Sequence, residues 1–172
     1  YTAWEEAFNS SFEWTNYGTS LHEFLTVRIT QTTGQATLDM ERYIDEVVAE
    51  HFPGGVHHSY AVPADVDLPK VVLQASEKKD TSYAKTEVAE RFRRITMQLL
   101  YYALMVGPDV LCAVGYLTRV QAYPSPDLLR RAERILIYLH GRKHLKLTYT
   151  RTGNTGIDVD FAPRIVIEGE SD

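Results

Sequence analysis

Cysteine is almost missing from this 172-residue chain: Cys112 stands alone, so no intramolecular disulfide can form and a reducing compartment is the simpler setting. No apolar run approaches the roughly 20 residues that a membrane-spanning helix needs, and no secretory leader opens the chain. A membrane partner is therefore not expected, and an intracellular location, cytoplasmic or nuclear, is. An initiator methionine is missing too; Tyr1 reads as a cut, and the chain as a piece of something longer. Positive charge is not in excess. Eighteen Lys and Arg face 23 Asp and Glu, a net charge of −5, so the chain as a whole does not attract nucleic acid electrostatically. A phosphate-cradling glycine loop, a Gly-x-Ser-x-Gly elbow and any Cys–His pair at a useful spacing are likewise absent.

What is present is apolar content of 44%, enough to bury a core as one or two small units. From Tyr101 to His140 two amphipathic helices follow one another. Pro108 and Asp109 suit the first turn of one, with Val110, Ala113, Val114 and Leu117 on its inner face. Ser125 is the expected N-cap of the other, followed by Pro126, an apolar stripe of Leu128, Ala132, Ile135, Leu136 and Leu139, and Gly141 after the last turn. Between His22 and Met40 the period falls to two. Leu25, Val27 and Ile29, a turn at residues 31–35, then Ala36, Leu38 and Met40 predict a β-hairpin with one buried face. Asp39 is the expected cap of a helix over Glu41 to Phe52 with Ile44, Val47, Val48 and His51 inward, stopped by Pro53-Gly54-Gly55. Residues 60–82 read as an irregular connector, and Tyr83 to Met105 as the longest helix, with Val88, Phe92, Ile95 and Leu99 inward and Arg91, Arg93 and Arg94 crowding its middle. At the start, Trp4 and Phe8 share a helical face, either packed on a core or stacking on bases. Near the end, Ile157–Phe161 and Arg164–Ile167 each suit a strand. The expected class is α+β: an N-terminal helix and hairpin, a bundle of about four helices, and short C-terminal strands.

The residue order of this central stretch resembles the region between polymerase and RNase H in the Pol polyprotein of copia-type LTR retrotransposons. The match runs through Leu100-Tyr101, Pro108-Asp109-Val110, Ala113-Val114-Gly115 with Leu117 and Arg119, Arg134-Ile135-Leu136 with Tyr138-Leu139, and His144-Leu145 with Leu147 and Tyr149. Phe24-Leu25-Thr26-Val27-Arg28-Ile29 and Tyr43-Ile44 are similar to a hairpin and a helix earlier in that family. The pattern is broken at three places: Val106-Gly107 stand where the family has Thr-Arg, Thr26 where it has glycine, and Val62 where it has threonine. The resemblance implies the end of a reverse transcriptase palm with its hairpin over 1–40, the start of the thumb and a connector over 41–82, a helical thumb and connection over 83–147, and a linker with the first strand of an RNase H-like domain over 148–172.

The charges suggest where contacts would form. From Arg130 to Arg151 seven basic residues face the single acid Glu133, a stripe able to neutralise several phosphates or simply to form a solvated helix face. With the resemblance, nucleic-acid contacts are expected at Arg28, Arg91, Arg94, Arg130, Arg131, Arg134, Arg142, Lys143 and Lys146. The partners implied are an RNA–DNA hybrid or primer–template and the remainder of the polyprotein. Asp172 matches the first carboxylate of the family's RNase H domain and would be catalytic only if that domain continues beyond it. Mg²⁺ is implied for the full-length family, but no metal is expected within this chain, because the aromatic-x-Asp-Asp turn of the polymerase would lie before Tyr1. Asp158 and Asp160 read as solvent-exposed, and the adjacent His57 and His58 as a polar turn without a Cys or acidic partner at ligand spacing. The chain alone is expected to be catalytically inactive. Two hypotheses stay open: a working reverse transcriptase segment that holds primer–template and couples polymerase to nuclease, or a repurposed fragment acting as a structural or protein-interaction module in an assembly. The loss of the family arginine at Gly107, the loss of the hairpin glycine at Thr26 and the acidic charge favour the second.

Overall fold

In the computed structural model, which describes residues 21–150, strand-forming and helix-forming patterns segregate as their periods dictate. Strands β1 (Leu21–Phe24), β2 (Val27–Thr32) and β3 (Gln35–Asp39) form an antiparallel meander. Five helices follow: α1 (Glu41–His51), α2 (Leu68–Lys78), α3 (Glu87–Met105), α4 (Pro108–Thr118) and α5 (Pro126–Gly141). Strand β4 (Leu147–Thr150) then returns to pair with β3, giving the sheet order β1-β2-β3-β4. The class is α+β, and the helices are inserted between two neighbouring strands of one sheet. Ile29, Leu38 and Leu147 sit opposite one another across β2, β3 and β4, and all three pack on the helical core.

That core is built from the stripes the periodicity marks out. Ile44, Val47 and Val48 of α1, Phe92, Ile95 and Leu99 of α3, Val110, Val114 and Leu117 of α4, and Leu128, Ile135, Leu136 and Leu139 of α5 are all buried in one cluster. Thr96 is also fully buried and satisfies its hydroxyl by donating to the Phe92 carbonyl, 2.7 Å away. Ser125 caps α5 as expected: its Oγ accepts from the Leu128 amide at 3.2 Å, and Pro126 takes the first helical position.

Several local expectations are corrected. Residues 60–82 are not wholly irregular, because Leu68 to Lys78 is a helix. Pro69 lies in its first turn, where backbone amides have no intrahelical acceptor, so the missing N–H is harmless. Leu68, Val71, Val72 and Ala75 follow helical spacing and face the core. Asp39 does not cap α1. Met40 is the N-cap residue, its carbonyl taking the Ile44 amide at 3.1 Å, which leaves Asp39 one residue too early, on β3 opposite Arg28. Helix α3 starts at Glu87 rather than Tyr83, since the amides of Ala84 and Thr86 are spent in turns on the Thr81 and Tyr83 carbonyls. Leu25 is not part of a continuous alternation: Leu25 and Thr26 form a two-residue turn between β1 and β2, both in the left-handed region at φ 49° and 68°. The expected helix at residues 1–20 and the strands at 157–161 and 164–167 lie outside the described residues.

Candidate nucleic-acid interface

The nine cations singled out in the sequence fall into separate groups, and carboxylates from elsewhere in the chain meet most of them. The densest group is the outer face at the start of α5. Arg131 makes a two-pronged contact with Asp67, Nη1 to Oδ1 at 2.8 Å and Nη2 to Oδ2 at 3.0 Å. Its Nε donates to Asp127 at 3.1 Å, and Asp65 stands 3.7 Å away. Arg134 pairs with Asp65 at 2.8 Å and stacks over the Tyr60 ring at 4.2 Å. Arg130, the most exposed of the three, contacts Asp127 at 3.0 Å. Hydrogen bonding from Arg131 lowers the Asp67 carboxyl below its usual range, and the same contact raises the Arg131 guanidinium. Arg131 and Arg134 therefore staple the connector before α2 onto α5.

A second group lies where the end of α5 approaches the sheet. Lys143 reaches both oxygens of Asp45 on α1, at 2.7 and 2.8 Å, with Glu41 at 3.9 Å. Arg28 and Lys146 each stand 3.9 Å from Asp39, whose buried Oδ2 has no hydrogen-bond partner. Arg142 lies over the Tyr138 ring at 5.2 Å, and the Tyr138 hydroxyl donates to Asp109 at 3.0 Å. Burial, then the charge of Asp109, raises the Tyr138 hydroxyl pKa; Tyr102 is raised by the same two causes in the same order. Twelve residues separate Arg130 from Arg142, about 18 Å along a helix, so the stripe is two patches rather than one. The remaining pair belongs to α3. Arg91 bridges the His51 carbonyl at 2.9 Å and Glu133 at 2.8 Å, and Arg94 meets Glu50 at 2.5 Å. Arg93 caps the Gln121 carbonyl at 3.1 Å.

The partner acids were the part that spacing alone left out. Asp127 was within reach, three and four residues before Arg130 and Arg131 on one helix. Asp65 and Asp67 lie more than sixty residues away and looked like ordinary connector polarity. With these acids in place, the tips that remain largely exposed are those of Arg28, Arg94, Arg130, Arg142 and Lys146.

One of the departures acquires a physical cause, and a second is left without one. Position 107 has no room for a side chain: a Cβ there would lie 2.2 Å from Cε1 of the buried Tyr102 ring. Arginine is thus sterically incompatible with Tyr102 at this corner. Thr26 occupies a left-handed conformation that β-branched residues rarely adopt, so a glycine there would relieve the backbone. The Tyr101 hydroxyl donates to the Leu25 carbonyl and ties this turn to α3.

His57 and His58 are exposed, with His58 edge-on to Tyr60 at 5.3 Å. Among the described residues no group of three His, Cys, Asp or Glu side chains could hold a metal ion, and no helix is long and apolar enough to cross a membrane. Asp172, the one carboxylate assigned to metal chemistry, lies outside the described residues, as do Asp158 and Asp160. Compared with known proteins, the chain matches no family model, no curated protein and no solved structure.

Proposed function

We propose that this chain is the palm-end, thumb and connection portion of a copia-type reverse transcriptase, lying along a primer–template and linking polymerase to RNase H. One observation carries the reading. Within the ordered match, Val110, Ala113, Val114, Leu117, Ile135, Leu136, Tyr138 and Leu139 are buried in the core that α4 and α5 share, while Pro108, Asp109, Arg119, His144 and Tyr149 lie at the surface. The resemblance thus includes positions that fix the packing of these two helices. The proposed task is positioning of primer–template, as the resemblance to thumb and connection implies. Phosphate contacts would come from the exposed tips of Arg28, Arg94, Arg130, Arg142 and Lys146, with the more enclosed Arg91, Arg131, Arg134 and Lys143 behind them.

The test is binding to a labelled RNA–DNA hybrid at low and moderate salt, beside an Arg130→Ala/Arg142→Ala/Lys146→Ala variant. This variant spares Arg28, which then still faces the buried Asp39 carboxylate. The proposal expects binding that weakens with salt and is largely lost in the variant. A folded chain that ignores the hybrid at low salt would leave the second reading, a structural or protein-interaction module. One feature favours that alternative: Leu104, Met105 and Leu111 are exposed on neighbouring turns at the α3–α4 corner.

A further inference from the structure

We infer that Asp65 and Asp67 act as built-in phosphate mimics that mask the arginines of α5, so that a phosphate backbone must displace them to use that face. The inference rests on the proposed nucleic-acid reading and concerns how the same surface is regulated. A guanidinium fork binds a carboxylate and a phosphodiester through the same pair of parallel N–H donors. Arg131 already holds Asp67 in that geometry, at 2.8 and 3.0 Å, and its side chain is only 14% exposed. Arg134 holds Asp65 at 2.8 Å with its guanidinium carbon 4.2 Å from the centre of the Tyr60 ring. Two of the donors best placed for phosphate are therefore occupied from within.

The arrangement can open without refolding. Leu68, next to Asp67, is buried and anchors the backbone, while the Asp65 and Asp67 side chains are about half exposed and can swing away. Asp127 stays on Arg131 when Asp67 leaves, so the guanidinium is never without a carboxylate. Competition then selects for polyanions. A tethered carboxylate has an effective concentration on the order of millimolar, which a single free phosphate does not overcome. A backbone held by Arg130 and the neighbouring exposed cations competes better, yet the parent's forks stay mostly closed until the two aspartates are neutralised.

The experiment uses the full chain and a labelled RNA–DNA hybrid, comparing the parent, Asp65→Asn/Asp67→Asn, and a charge-matched Glu77→Gln/Glu87→Gln control whose acids touch no arginine among the described residues. The inference expects the aspartate variant to bind about fivefold or more tighter than the control, with a salt dependence steeper by about two cation–phosphate contacts. Inorganic phosphate is expected to compete poorly with the parent. Binding by the parent with no gain over the control would overturn the mask while leaving the nucleic-acid reading standing. No binding by any of the three, each folded by circular dichroism, would remove both. If the double variant does not fold, Asp67→Asn alone, which keeps Asp65 on Arg134, is read against the same expectations.

Discussion

The two faces of α5 are held by different physics. On the inner face Leu128, Ala132, Ile135, Leu136 and Leu139 are sealed from water against α1, α3 and α4. On the outer face Arg130, Arg131 and Arg134 are held by Asp127, Asp65 and Asp67, in contacts that remain partly solvated. Burial is non-directional and accumulates with area, whereas exposed ion pairs contribute little each and weaken with salt. The inner face therefore sets the fold, and the outer face is left as the adjustable one, where the proposed exchange of an internal carboxylate for an external phosphate would take place.

The largest break in this contrast should come from the inner face. Leu136→Ala is expected to cost about 2–5 kcal/mol of unfolding free energy in urea titration, because a fully buried side chain leaves a cavity between helices. Gly107→Ala comes next, at about 1–3 kcal/mol from overpacking against Tyr102. Most of that cost should vanish in a Tyr102→Leu background; a cycle showing no coupling would mean the ring is not the obstacle. Thr26→Gly runs the other way, raising stability by roughly 1 kcal/mol by relieving the left-handed turn. On the outer face Arg130→Ala should stay within about 0.5 kcal/mol of the parent.

The smallest effect concerns pH. Folding lowers the Asp67 pKa, so its contribution is fully present above the ordinary carboxylate value near 4 and fades as pH falls through the lower folded value. Stability profiles of parent and Asp67→Asn are expected to converge in that acid window. Profiles that stay parallel through it would show the fork to be energetically silent.

How much of this was legible depended on sequence distance. The stripes of α1, α4 and α5, the Ser125 cap and the Pro108 start could be read because each depends on residues within a turn or two. Helix α2 carried the same spacing, yet Pro69 and the flanking charges disguised it. The pairing of β4 with β3 and the neutralising acids at Asp65 and Asp67 were not readable, since contacts between residues sixty or more positions apart leave no periodic trace. The steric reason for Gly107 likewise needed the Tyr102 ring in place.

The most direct test of the account is the salt slope of hybrid binding by the unaltered chain. With the α5 forks occupied, only the exposed tips of Arg28, Arg94, Arg130, Arg142 and Lys146 meet phosphate. A plot of log K against log salt should then fall with a slope of about −3 to −5, at roughly −0.9 per contact. No binding at low salt by the folded chain, or a slope near −8 that requires all nine cations at once, would contradict it.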